Sequence, residues 1–172
     1  MASTIQYANL TSPLAFLPTS VPTAGYRNTF EQNRHRVYAL AFWMTDHELM
    51  AESLMQQAFT RAFATAASPS AEQIDEALVA ELRTLCPLGT LTLSEPAATE
   101  VFNVRRNTLR VHLERAVVQV PHTERLIFLM HDVEGYDHAR IARTLGITQE
   151  QSQAGLHQAR LRVRNLVAAM PR

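Results

Sequence analysis

Lysine is missing altogether: all sixteen basic residues of this 172-residue chain are arginine. The planar fork of arginine suits paired contacts to phosphate or guanine, but an arginine-only chain is equally what a GC-rich coding bias leaves behind. Net charge is missing too, because sixteen Asp and Glu balance the arginines. Zero net charge alone argues against strong nucleic-acid binding, but the charge is unevenly spread. Residues 1–100 hold five Arg against ten acids (net −5), and residues 101–172 hold eleven Arg against six acids (net +5). Cys86 is the one cysteine, which excludes an internal disulfide and fits a reducing cytoplasm. No apolar run is long enough to cross a bilayer, so no membrane contact is expected. There is no Ser/His/Asp or Cys/His arrangement and no Gly-rich phosphate loop, which leaves catalysis and cofactors without candidate residues. His131, Asp132, Glu134, Asp137 and His138 are metal-ligand types, but they lack the alternating acids and terminal bidentate Glu of a calcium loop.

What is there is helix. The hydrophobic content of 47% supports a buried core, and the length suits two small helical units. Residues 1–25, broken by Pro13, Pro18 and Pro22, lack the basic start and apolar core of a signal peptide and read as a disordered tail. Tyr26 to Thr45 repeats Val37, Leu40, Ala41 and Met44 at helical spacing, and Glu48 to Thr65 carries a stripe of Ala51, Leu54, Met55, Ala58, Phe59 and Ala62. A third helix is expected over Ala71 to Leu85, with Ile74, Leu78, Leu82 and Leu85 as its apolar line and an acidic surface of Glu72, Asp75, Glu76 and Glu81. Pro87, Gly89 and Pro96 mark residues 87–100 as linker. Val101 to Val118 is expected to be helical, with Arg105, Arg106 and Arg110 at its basic start.

The stretch after Pro121 has the punctuation of a helix-turn-helix. Leu126, Ile127, Met130 and Val133 mark one face of a helix that Gly135 ends. Asp137 is placed to cap a short helix with Ile141, Ala142 and Leu145 inside, and Gly146 supplies its left-handed terminus. Thr148 and Gln151 form a capping-box pair that opens a long helix with Leu156, Ala159, Val163, Leu166 and Val167 on its buried side. Opposite that side, Gln149, Gln153, His157, Arg160 and Arg164 follow one another at helical spacing as a polar stripe.

Over these residues the chain resembles region 4 of the extracytoplasmic-function (ECF) sigma factors of bacterial RNA polymerase. The pattern LP-x-x-x-R, D-x-E-G, I-A-x-x-L-G-I and L-H-x-A-R is met by Pro121, Arg125, Asp132-Val133-Glu134-Gly135, Ile141-Ala142, Leu145-Gly146-Ile147 and Leu156-His157. A weaker likeness links Asn33 to Ala64 with sigma region 2, whose second helix docks on polymerase. The resemblance implies an all-α protein of two modules, a region 2-like bundle over 26–86 and a region 4-like helix-turn-helix over 101–170, that is not an enzyme. Its implied partners are core RNA polymerase, promoter DNA at the minus-35 element and an anti-sigma protein. The implied DNA-contacting residues are Gln149, Gln153, Ala154, His157, Gln158, Arg160 and Arg164, with Glu52, Ser53, Gln56 and Gln57 at the polymerase.

This chain departs from the family pattern in three places. Met50, Ser53 and Gln57 stand where acids are usual, which removes attraction toward basic polymerase residues. The third helix is acidic and lacks aromatics, so no promoter-melting residue is carried over. Gln153, Gly155 and Gln158 replace basic residues, and Gly155 either admits a close approach or marks a helix relieved of gripping DNA. A degenerate sigma-like regulator that works by protein contact is the alternative these departures favour. A simple dimeric repressor is a third reading.

Overall fold

A computed structural model describes residues 24–94 and 110–170 of the chain. The N-terminal segment, Arg105, Arg106 and the start of the helix expected from Val101 lie outside these residues. The described chain is all-helical: α1 (Ala24–Thr45), α2 (Glu48–Thr65), α3 (Ala71–Leu85), α4 (Arg110–Val117), α5 (His122–Phe128), a π-helical turn (Leu129–Val133), α6 (His138–Leu145) and α7 (Gln149–Ala169).

Helices α1 to α3 form the first module because each buries one stripe. Val37, Leu40, Ala41 and Met44 of α1 meet Ala51, Leu54, Ala58 and Phe59 of α2 and Ile74, Leu78 and Leu82 of α3, all nearly without solvent contact. Tyr26, Phe30, Phe59 and Phe63 add a chain of ring contacts at one end. The α2–α3 connection is fixed by a capping box in which Ser70 and Gln73 exchange side-chain and backbone hydrogen bonds. Leu85 departs from expectation. It is 52% exposed at the last turn of α3, one helical step past the stripe, where no element among the described residues covers it.

The second module turns on α5, α6 and α7. Asp137 caps α6 by accepting from the Arg140 amide, and Gly146, at φ 65°, ends it in the left-handed conformation that favours glycine. Thr148 and Gln151 form the expected capping box of α7. The π-helical turn is a second departure. The Glu134 amide reaches back to the Leu129 carbonyl, five residues away, which adds a residue to the turn and shifts the register. Val133, expected on the buried face, is therefore 60% exposed, and Tyr136 is buried in its place.

The acids of α3 also behave differently from a uniformly charged surface. Asp75 is fully buried and accepts from Arg36, Arg140 and the Tyr136 hydroxyl. Glu72 pairs with Arg143 and Glu81 with Arg61, so three of the four acids face an arginine. The Asp75 cluster spans the modules, because Arg36 belongs to α1 whereas Tyr136 and Arg140 lie before and on α6. The Arg140 guanidinium also stacks 3.6 Å above the Tyr136 ring. Burial and the neighbouring Asp75 charge push the Tyr136 hydroxyl up to about 12, so it stays a donor at any working pH. Arg125 makes a second crossing: its side chain donates to Val118 and Val120 in its own module and to the Trp43 and Met44 carbonyls at the end of α1. Those carbonyls form the negative end of a helix, where a cation is favoured.

Removing the Asp75 carboxylate strands two arginines and a hydroxyl in a desolvated site. Asp75→Ala is expected to lower the unfolding free energy by about 3–5 kcal/mol, whereas Glu76→Ala, one residue on and exposed, should change it by less than about 0.5 kcal/mol. Urea titrations of both variants followed by circular dichroism check this; equal effects would remove Asp75 from its central place.

Candidate nucleic-acid and polymerase interfaces

Helix α7 stands on the rest of the second module with one side down. Ser152, Gly155, Leu156, Ala159 and Val163 face inward, against α5 and α6. What remains outward is the polar stripe: Gln149, Gln153, Ala154, His157, Arg160 and Arg164 are exposed and Gln158 is half-buried. All seven residues expected at DNA thus lie on one helix, six of them open to solvent. Of the four amides at the start of the helix that lack an intrahelical acceptor, the capping box engages two, those of Thr148 and Gln151.

Arg160 is already engaged. Its Nε and one terminal nitrogen donate to the two oxygens of Asp132, at 2.9 and 2.6 Å, in the paired geometry that arginine also uses with phosphate. Asp132 sits in the π-helical turn, so the widened turn is what carries the carboxylate round to α7. The Arg160 guanidinium holds the Asp132 carboxyl below the usual carboxylate range, with a smaller contribution from His131 at 2.9 Å. His138 stacks on His131 and hydrogen-bonds the buried Ser152 hydroxyl, and burial lowers its pKa. Asp132 therefore braces the long helix against the π-helical turn. The turn's sequence signal was present in Asp132 and Glu134, but the partner, 28 residues downstream, was not legible.

On the first module, Glu52, Ser53, Gln56 and Gln57 are all exposed on α2, with the Gln57 amide donating to the Ser53 hydroxyl at 3.1 Å. Beside them Leu49 is 71% and Met50 43% exposed, at the start of the same helix. The result is a strip on which Ser53, Gln56 and Gln57 carry no charge, with exposed apolar residues at the start of the helix and the carboxylates of Glu48 and Glu52 one turn apart.

The Asp132–Arg160 pair makes a pH statement. Because the folded Asp132 pKa lies below its unfolded value, the stability it contributes is present above the unfolded value and is lost as pH falls through the folded one. In Arg160→Ala the Asp132 carboxyl is expected to titrate at a higher pH than in the parent chain. A carbon-detected NMR titration of the carboxyl checks it, and an unmoved midpoint would mean the pair does not form in solution.

Comparison with known proteins bears on both modules. Residues 110–163 match the family described as Sigma-70, region 4, which takes in α4 through most of α7. A search of curated proteins by sequence gave no match. Among solved structures, the chain is similar to the sigma factor RpoE from Bartonella quintana, determined in complex with the anti-sigma factor NepR. The TM-score is 0.63 at 14% identity, over 85% of this chain and 98% of that one. At that identity the likeness is one of fold, and it spans both helical modules. Residues 110–163 thus form a Sigma-70 region 4 segment, set within an all-α fold similar to that of the sigma factor RpoE.

Proposed function

We propose that this protein acts in transcription initiation as an ECF-type sigma factor in the cytoplasm, joining core RNA polymerase through α2 and reaching the minus-35 element through α7. The observation that carries the reading is the open polar stripe of α7 on a region 4 helix-turn-helix. In this arrangement Gln149 and Gln153, nearest the start of the helix, face base edges in the major groove, where a glutamine can pair with adenine. Ala154 offers an apolar contact, and His157, Gln158, Arg160 and Arg164 follow the phosphates. Glu52, Ser53, Gln56 and Gln57 form the polymerase-facing strip over a module of residues 26–86, and residues 101–170 form the DNA-reading module. An anti-sigma protein is the expected inhibitory partner, as in the complex of the structural neighbour.

A second reading keeps the fold and drops initiation: a sigma-like regulator that works by protein contact. It is favoured by the commitment of Arg160 to Asp132 and by the neutral residues on α2. Run-off transcription with purified core polymerase separates the two. Transcript from a defined promoter supports initiation; polymerase binding without transcript supports the regulator.

Two substitutions test the surfaces. Arg160→Ala and Arg164→Ala together should weaken promoter binding and lower the slope of log K against log salt by about 0.9 for each phosphate that an arginine had neutralised. An unchanged slope would take both arginines off the DNA. Ser53→Glu with Gln57→Glu should tighten association with core polymerase in a pull-down, and equal or weaker capture would remove α2 from that interface.

A further inference from the structure

The residues after α3 are a linker by composition, but they do not leave the protein. Gly89 donates its amide to the Thr123 hydroxyl at 3.2 Å, and the amides of Thr92 and Leu93 both donate to one oxygen of Glu124, the latter at 2.8 Å. Glu124 is fully buried. Among the described residues the hydrogen bonds it accepts come only from this segment, and its second oxygen has no partner. Between these polar anchors, Leu91 lies on α7 at Gly155. A Cβ at position 155 would stand 2.9 Å from Leu91 Cδ2 and 2.7 Å from Ile127 Cδ1, closer than real side chains approach. Of the two explanations that Gly155 admits from sequence, close approach of another chain segment is the one the structure supplies.

We propose that Gly89–Leu93 is a releasable strap, and that its docking in the groove of Thr123, Glu124, Ile127 and Gly155 holds the two modules in the closed arrangement. The geometry lies in the length of the connection. With the strap docked, only three residues, Cys86 to Leu88, separate the end of α3 from a point fixed on the second module. Four residue steps span at most roughly 14 Å, so the modules cannot part. With the strap released, the first described residue fixed on the second module is no longer Gly89 but Arg110, and the tether is correspondingly longer. Docking therefore keeps the faces bearing Asp75 and Arg140 at high effective concentration, and release lowers it without touching either face. The groove suits reversible use. Lifting the strap opens Glu124 to water, which takes the place of the amides, so no buried charge is left stranded. Any partner that takes up the two modules at separate places must first lift the strap. The inference concerns the free chain, so it stands or falls independently of the reading of its DNA and polymerase contacts.

The test uses the full chain and two variants. Leu91→Ser removes the anchor without altering the helix-turn-helix, and Gly155→Ala crowds the groove beneath it. Amide hydrogen exchange should quicken at least tenfold at Thr92 and Leu93 in both variants. Amides of α6 should keep their protection in Leu91→Ser. Small-angle scattering of Leu91→Ser should show a larger radius of gyration than the parent. The strap is overturned if Thr92 and Leu93 exchange as in the parent in Leu91→Ser, or if α6 loses protection in step with them. It is equally overturned if they exchange faster while the radius of gyration does not change, because tether length would then not govern closure.

Discussion

One buried carboxylate organises the contact between the halves of this protein. Asp75 has no exposure to water, and it is tolerated only because Arg36, Arg140 and Tyr136 converge on it from two modules. A buried charge with three donors is stable in place and costly to leave half-satisfied, so the cluster acts less as adhesive than as a requirement of registry. Helix α6 must meet α3 at one position, since an offset of a single turn would separate Arg140 from its acceptor. The Arg143–Glu72 pair and the bond from Arg83 to the Leu145 carbonyl repeat the constraint on either side.

The uneven charge along the chain takes on a different meaning in this light. An acidic first part and a basic second part first suggest separate partners of opposite sign. In the fold, much of the difference is used internally, with acids of α3 facing arginines of α6. The same economy appears on the outward face of α7, where Arg160 answers Asp132. A phosphate that took that arginine would have to compete with a carboxylate in the same paired geometry. Stripe residues that differ little in exposure therefore differ in availability.

How much of this could be read beforehand depended on how far apart the partners lie in sequence. The α6 cap at Asp137, the left-handed Gly146 and the Thr148–Gln151 box are bonds within four residues, and they appear where their patterns place them. The stripes of α1, α2 and α7 were equally visible, because periodicity reports burial directly. Asp75 was within reach: it lies three residues before Leu78 and seven before Leu82, on the buried line of α3, and only its acidity argued for the surface. A close approach at Gly155 was one of two sequence readings, but what approaches it, like the partner of Glu124, was not legible, because the counterpart is a linker without period some sixty residues upstream in the first case and thirty in the second. Val133 failed for another reason, since a helical pattern cannot announce a turn that takes one extra residue.

That extra residue also affects how the segment can vary in length. A widened turn at Leu129–Val133 places Asp132 toward α7 and Tyr136 toward α3, and both orientations depend on the offset. Deleting one residue there would restore an ordinary helix, rotate everything after it by about 100° and return Val133 to the interior at the expense of Tyr136. Related chains that keep both the brace and the intermodule cluster should therefore preserve the spacing from Pro121 to Tyr136 without gaps, even where neighbouring loops lengthen or shorten freely.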